Sequence, residues 1–329
     1  RLLARLKTLS WSICFLGGAY CYYKRWELLR DSKVDNRLIY RSRSGNSYLD
    51  RILSRCPSVK YPKYIPTPWA TNRWINAFVF LFKQRWSKWF NPFPMKRELV
   101  THPDGGTTAL DWGDDDHSKA LPKDAPILVL FHTITGSSEG TSYYYRAALK
   151  KGFRTVVFTR RGHGDLKLQT PKFNIMGDTS DAIAMMECVQ KSYPECKWIG
   201  LVGISAGSGL MVSYLGQCGD NTPVKAGCSL CPAYDIEGAL SNLKLKYPAS
   251  DKYILNCAKS LWFGNAEKKA RMRSFDEDAT EKCLKATTLL DFVHCHYRFA
   301  GHATLSEYWK WHNPMSHYTG VKRPVLILN

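Results

Sequence analysis

Short runs of apolar residues alternate with stretches of helical spacing along the second half of the chain. The runs are "PILVLFH" (126–132), "FRTVVFTRRG" (153–162), "KWIGLVGIS" (197–205), "PVKAGCSLC" (223–231) and "KRPVLIL" (322–328). A strand covered on one face alternates apolar and polar residues, whereas one covered on both faces reads as continuous apolar sequence. Between the runs, "DTSDAIAMMECVQKSY" (178–193) has the spacing of an amphipathic helix, and a second helix is expected from Ser205 to about Gly219. Strands alternating with helices predict an α/β fold with a mostly parallel sheet and helices on both faces. Upstream, "RELVTHPDGGTTALDWGDD" (97–115) reads as a hairpin turning at Asp104-Gly105-Gly106. From Pro232 to about Tyr318 the β pattern lapses into helical, polar and aromatic sequence, which predicts a helical cap over residues 233–318 inserted at the strand ends.

The first hundred residues follow a different pattern. Residues 9–23, "LSWSICFLGGAYCYY", are uncharged and flanked by Arg5, Lys7, Lys24 and Arg25. They fall short of the roughly 20 residues that span a bilayer. Extension over Leu2, Leu3 and Leu6, with snorkelling basic side chains, completes a span, so the expectation is an uncleaved membrane-anchor helix. An amphipathic or buried helix is the alternative. Farther on, Trp74, Phe78, Leu81, Phe82, Trp86 and Trp89 recur at helical spacing among Arg73, Lys83, Arg85 and Lys88, until Asn91-Pro92 ends the run. That composition suits a helix in the lipid headgroup layer; a helix that covers the domain behind it, or one that stacks on single-stranded nucleic acid, has the same composition. The expected organisation is an anchor over 1–30, a basic, aromatic-rich linker with an interfacial helix over 31–95, and the α/β domain over 96–329.

Charge sharpens this division. The 329 residues carry a net charge of +19, and with 44% hydrophobic and 23% charged residues the chain is globular rather than disordered. Residues 1–100 hold 20 Lys/Arg against 5 Asp/Glu, and the other 229 hold 27 against 23. The basic third attracts anionic lipid headgroups or nucleic acid, and the expected partner is a membrane surface rather than nucleic acid. Positive charge is denser after residues 9–23 than before them, which favours a cytosolic domain on a single-pass or monotopic anchor, in the endoplasmic reticulum or another internal membrane. Eleven cysteines without framework spacing, and no Asn-x-Ser/Thr acceptor, point to reduced thiols facing the cytosol. Cys228 and Cys231, and "H-C-H" at 294–296, lack a second pair at zinc spacing. They read as core residues, and neither a metal nor another cofactor is expected.

The stretch with chemical content is "WIGLVGISAGSGL" (198–210). A serine that must stand clear of a sheet can sit on a sharp strand-to-helix turn, where strand and helix nearly touch and only small residues fit two positions either side. Gly203 and Gly207 flank Ser205 in that way. The helix start then aims N–H groups at charge developing beside the serine oxygen. One oxyanion donor is expected from Ala206, the other from "H-T-I-T-G-S" at 132–137.

These features resemble the α/β-hydrolase fold. The order of the "LDW" hairpin, a strand ending in His-x-x-x-Gly-Ser, "R-R-G-H-G-D" and "G-I-S-A-G-S-G", with "Y-I-P-T-P-W" at 64–69 upstream, is similar to membrane-bound abhydrolase-domain lipases. That group includes phospholipid and monoacylglycerol hydrolases and medium-chain ester synthase/esterases. The resemblance implies Ser205 as nucleophile and Ala206 with the Thr133–Ile134 segment as oxyanion hole, Ile134 being the first choice for the second donor. Thr133 stands where the group usually has glycine. His132 is expected to shape the loop, and Arg160, Arg161, His163 and Asp165 to fix it by hydrogen bonds. The triad Asp and His follow the serine in this fold and are expected beyond Asn329, which would make the chain a C-terminally truncated fragment, inactive alone. Asp235 is an alternative acid, while His294, His296, His302, His312 and His317 are expected to be structural. The function implied is a serine hydrolase cleaving acyl esters of lipids through an acyl-enzyme. An acyltransferase or ester synthase on the same acyl-enzyme, and a non-catalytic membrane-bound interaction module, remain alternatives.

Overall fold

The computed structural model describes residues 16–27, 47–56, 67 and 72–329. They divide into two compact units, Arg1–Trp86 and Ser87–Asn329.

In the first unit residues 16–27 are helical, as is Ser47–Arg55, and the helix Arg73–Phe90 runs through the boundary. Among the described residues no helix is long and apolar enough to cross a membrane. The helix over 16–27 rises about 18 Å against the roughly 30 Å of a hydrocarbon core. It also ends in Lys24, Arg25 and Glu27, with Lys24 bonded to Glu27 at 2.5 Å. The span expected over 9–23 is therefore not seen; residues 9–15 lie outside the described residues. "Y-I-P-T-P-W" at 64–69 lies outside them as well, apart from Thr67.

The second unit is built on a seven-stranded sheet. Its strands are β1 (Met95–Thr101), β2 (Thr107–Gly113), β3 (Ile127–Phe131), β4 (Arg154–Thr159), β5 (Ile199–Ile204), β6 (Val224–Leu230) and β7 (Val325–Leu328), in the order β1-β2-β4-β3-β5-β6-β7. β1 and β2 form the expected hairpin, β2 meets β4 antiparallel, and the remaining pairs are parallel. The apolar runs are all strands, and β3, β4 and β5 are buried on both faces; β6 is partly buried, and β7, at the edge of the sheet order, leaves Leu326, Ile327 and Leu328 exposed, contrary to the expectation for that run. Ile127, Val129 and Phe131 of β3 join Val156 and Phe158 of β4 in one core, beneath the helices Thr179–Ser192 and Ala206–Cys218. Leu130 and Val157 point the other way and pack with Phe93, Tyr145 and Leu149. Successive residues of a strand face opposite sides, so one run feeds two cores.

The cap is present between β6 and β7. Its helices are Ile236–Lys246, Pro248–Phe263, Ala266–Phe275, Glu277–Lys285, Leu289–His296 and Leu305–His312. Several carry the caps their sequences supply: Asn265, Asp276 and Thr304 each accept a backbone N–H, and Thr288 with Asp291 forms a reciprocal capping box. The cap has a core of its own around Trp262, Phe263, Phe292 and Tyr308. All ten described cysteines are free thiols.

Candidate active site

Ser205 follows the last residue of β5 and precedes the first residue of the helix Ala206–Cys218. Its backbone sits at φ 53°, ψ −116°, a region that ordinary residues avoid at a cost of about 1–3 kcal/mol. The surroundings impose it. The Ser205 N–H donates to Leu230 O at 2.9 Å, and the Ser208 N–H donates to Ser205 O at 2.9 Å. A Cβ on Gly203 would lie 2.5 Å from Gly207 O and from Ser208 Cα, and one on Gly207 would lie 2.2 Å from Phe131 O. The two glycines let β3, β5 and the helix converge within backbone contact of one another. Ser205 is half-buried at the carboxyl ends of the parallel strands, where ligands bind in open α/β sheets. As the first residue of its helix, Ala206 carries an N–H with no acceptor inside that helix.

The loop after β3 is held from behind. His132 is fully buried, its Nδ1 2.8 Å from Thr133 O. Thr133 O can only accept, so the 2.8 Å contact puts the ring proton on Nδ1 and leaves Nε2 to accept the Arg160 N–H at 3.3 Å; Arg160 Nη2, also 3.1 Å from Nδ1, then donates to Thr133 O. Thr133 O also accepts from Arg160 Nη2 at 2.5 Å and from the Gly136 N–H at 3.1 Å. In a trans peptide the carbonyl and the following N–H point in opposite directions. Three donors on Thr133 O therefore fix the direction of the Ile134 N–H. His163 backs the same loop, its Nε2 3.0 Å from Ile134 O and its Nδ1 3.0 Å from Arg161 O. A neutral ring donates to only one of these carbonyls.

Electrostatics keep both rings neutral. Burial and the nearby Arg160 guanidinium hold His132 well below its ordinary pKa, and burial followed by Arg160 lowers His163 to about 3. Arg160 is itself buried and bonded to the carbonyls of Thr133 and, at 3.1 Å, Ile175. Burial lowers its pKa as well, yet a guanidinium stays charged at neutral pH. His132 is thus a loop-shaping residue, and Arg160 and His163 fix the loop as the sequence suggested.

The neighbouring motif residues hold the scaffold. Arg161 bonds Asp181 through Nε at 2.7 Å and Nη2 at 2.8 Å, and Asp104 through Nη1 at 2.6 Å, tying the β1–β2 turn to the helix Thr179–Ser192. Arg97 bridges Asp111 at 2.6 Å and also bonds Asp165. Asp111, the acid of "LDW", is buried and accepts from Thr159 Oγ1 at 2.5 Å at the end of β4. The sequence reading passed over Asp111 and Asp181. The available signal was a carboxylate inside an apolar strand and another on the core face of a helix, because a buried charge requires a partner.

Among the described residues no imidazole or carboxylate bonds Ser205 Oγ. Asp235 caps the helix Ile236–Lys246, accepting from the Gly238 N–H at 3.1 Å. His296 is buried against Phe292, its Nδ1 2.8 Å from Val293 O, and burial lowers its pKa to about 3. His302 and His312 meet through their Nε2 atoms at 2.7 Å, His294 lies 3.4 Å from Glu237, and His317 Nε2 donates to Trp311 O at 3.0 Å. The structure thus brings together Ser205, Ala206 and the fixed 132–134 loop, and leaves these five histidines in cap contacts. Ile134 and Ala206 both pack against the cap core, so the serine end of the sheet meets an apolar roof.

A profile described as the alpha/beta hydrolase fold matches residues 126–329, most of the second unit. The chain belongs to the alpha/beta hydrolase fold family. Among its relatives, Phospholipase ABHD3 of Mus musculus is 28% identical over 296 residues, covering 87% of this chain and 68% of that protein. Medium-chain fatty acid ethyl ester synthase/esterase 2 of Saccharomyces cerevisiae is 27% identical over 150 residues, covering 43% of this chain and 33% of that protein. An esterase of Pyrococcus furiosus superposes with a TM-score of 0.43 at 17% identity, over 71% of this chain and 70% of that one. The family match, the phospholipase and the ester synthase/esterase support the abhydrolase-domain lipase and esterase group that the motif order resembled.

Proposed function

We propose that the protein is a serine hydrolase that cleaves acyl esters of lipids through an acyl-enzyme on Ser205. The observation carrying this reading is the backbone of Ser205 at φ 53°, ψ −116°, held between Gly203 and Gly207 at a helix start. Sparse backbone conformations held by their surroundings cluster at working sites, which supports this reading; Cys231, at φ 49°, is the other such non-glycine residue among those described and lacks the flanking glycines. In the proposed reaction Ser205 Oγ attacks the acyl carbonyl, and the resulting oxyanion accepts the N–H groups of Ala206 and Ile134. Collapse expels the alcohol, and water then releases the acid.

Support for a lipid ester comes from the apolar roof formed where Ile134 and Ala206 meet the cap, and from relatives named as a phospholipase and an ester synthase/esterase. The second of these names also supports an alcohol in place of water at the last step, which makes an ester rather than an acid. The proposed setting is a membrane reached through the N-terminal third, with its excess of 20 Lys/Arg over 5 Asp/Glu in residues 1–100.

The test is fluorophosphonate labelling of the whole protein, wild type against Ser205→Ala. The wild type labels and the variant does not; labelling that survives the substitution removes Ser205 from the role. A second expectation concerns Arg160. Arg160→Met keeps the apolar stem but frees Thr133 O, so kcat on a short-chain nitrophenyl ester falls by about tenfold to a hundredfold with KM nearly unchanged. Arg160→Lys retains a cation and recovers part of the loss. A change confined to KM would place Arg160 in substrate binding instead.

A further inference from the structure

The helix Arg73–Phe90 carries no acidic residue and four basic ones, Arg73, Lys83, Arg85 and Lys88. Ile75, Phe78, Phe82, Trp86 and Trp89 recur at intervals of three and four, which places them along one stripe roughly a third of the circumference wide. Phe78 is 68% exposed, Phe82 53% and Trp86 51%. Their rings lie against one another, Phe78 to Phe82 at 6.3 Å and Phe82 to Trp86 at 5.7 Å, forming a continuous apolar ridge. By helical geometry the positions of Lys83 and Arg85 flank the ridge on its two sides. This helix is not apolar enough to cross a membrane.

An apolar ridge between cationic flanks, with no carboxylate on the element, matches a surface that is apolar below and anionic above. A bilayer with acidic headgroups has that layering within one helix diameter. A single strand of nucleic acid would meet the same cations. Base stacking, however, uses rings with open faces, and here the rings pack along the ridge. We infer that the helix Arg73–Phe90 is a monotopic membrane-contact element. It lies in the headgroup layer of an anionic leaflet, with the Ile75–Phe78–Phe82–Trp86 ridge among acyl chains and the cations at the lipid phosphates. This contact is additional to any anchor over residues 9–23 and needs no spanning segment.

The experiment is cosedimentation of the whole protein with phosphatidylcholine vesicles, with and without phosphatidylserine. Residues 9–23 are first made polar by Ile13→Asp and Leu16→Asp, so that their contribution is removed. That protein still binds the phosphatidylserine vesicles. Adding Phe78→Ser, Phe82→Ser and Trp86→Ser lowers binding by about tenfold or more. Adding instead Lys83→Gln, Arg85→Gln and Lys88→Gln lowers binding to phosphatidylserine vesicles while leaving phosphatidylcholine unchanged. Raising salt from about 0.1 M to about 0.5 M imitates that second loss by screening. The substituted rings are exposed, and an unchanged melting temperature shows that each variant folds.

The inference is overturned if the polar-anchor protein does not bind, or if the three ring substitutions leave binding unchanged. It is equally overturned if a single-stranded oligonucleotide binds through this helix more tightly than the vesicles do. Loss of a dimer by light scattering without loss of vesicle binding would assign the ridge to a second copy of the chain. Binding is read in parallel on Ser205→Ala protein, which behaves as wild type, so failure here leaves the ester-hydrolase reading standing.

Discussion

Gly207→Ala destabilises the second unit by about 4 kcal/mol or more and abolishes labelling of Ser205. The added methyl would stand 2.2 Å from Phe131 O and 2.7 Å from His132 O, both backbone atoms. Neither side can give way cheaply. Phe131 is the end of β3 and pairs with both Phe158 and Gly203, so withdrawing it breaks ladders on two sides. Moving the helix instead carries away the N–H of Ala206 and the bond from the Ser208 N–H to Ser205 O. Gly152→Ala is the control. Gly152 has φ +79° but nothing within 4 Å of the new methyl, so that variant carries only the backbone strain of about 1–2 kcal/mol. Urea unfolding of the two variants separates strain from collision. A Gly207→Ala protein as stable as the Gly152→Ala protein would mean that strand and helix do not cross as described.

Acidification from neutral pH to pH 5 destabilises the fold well before its carboxylates titrate. Burial lowers His163 and His296 to about 3, while an unfolded ring titrates near its ordinary value of about 6.5. Above pH ~6.5 both states are neutral and these rings contribute no pH dependence. As pH falls through that value the unfolded chain takes up protons that the folded rings refuse, so stability falls, and continues to fall until the folded pKa near 3. At pH 5 each of these two rings costs about 2 kcal/mol. His132 moves in the same direction because of burial and Arg160, and burial lowers His312 to about 4 against the opposing pull of Asp178. The measurement is the urea midpoint at pH 7.5 and pH 5, together with proton uptake on unfolding. A flat profile over that interval would mean that the buried imidazoles are charged in the fold. The paired carboxylates act in the same direction but lower down, since Asp178 is lowered to about 2 against its burial, by Lys172, His312 and the bond from Ser180 together.

Much of the candidate site was legible before any coordinates because its requirements are local. Gly203, Ser205 and Gly207 lie within five residues, and the need for small neighbours at a pinched turn can be read from spacing alone. Ala206 followed from the helix start. The retention system of the 132–134 loop was legible only in outline. Its donors, Arg160 and His163, were recognised as loop-fixing, but the atoms they hold depend on which strand ends stand side by side. Asp111 was passed over for the same reason: its partners Arg97 and Thr159 lie 14 and 48 positions away. The anchor expected over 9–23 rested on a short apolar run, its basic flanks and an extension over Leu2, Leu3 and Leu6, and of that stretch the described residues contain a short helix that does not span.

The pattern along the chain was enough to mark β3, β4 and β5 as buried strands, to separate β6 from β7 by a helical cap, and to put a serine at the turn where β5 becomes a helix; β7, expected to be buried as well, is exposed at Leu326, Ile327 and Leu328. Periodicity and glycine placement act over a few residues, and no distant partner can alter what they require. Only the tertiary structure decided that Arg160 carries Thr133 O, that His132 and His163 stay neutral, and that Asp111 closes onto Arg97. Those outcomes depend on burial and on charges that strand order brings together from separate parts of the chain.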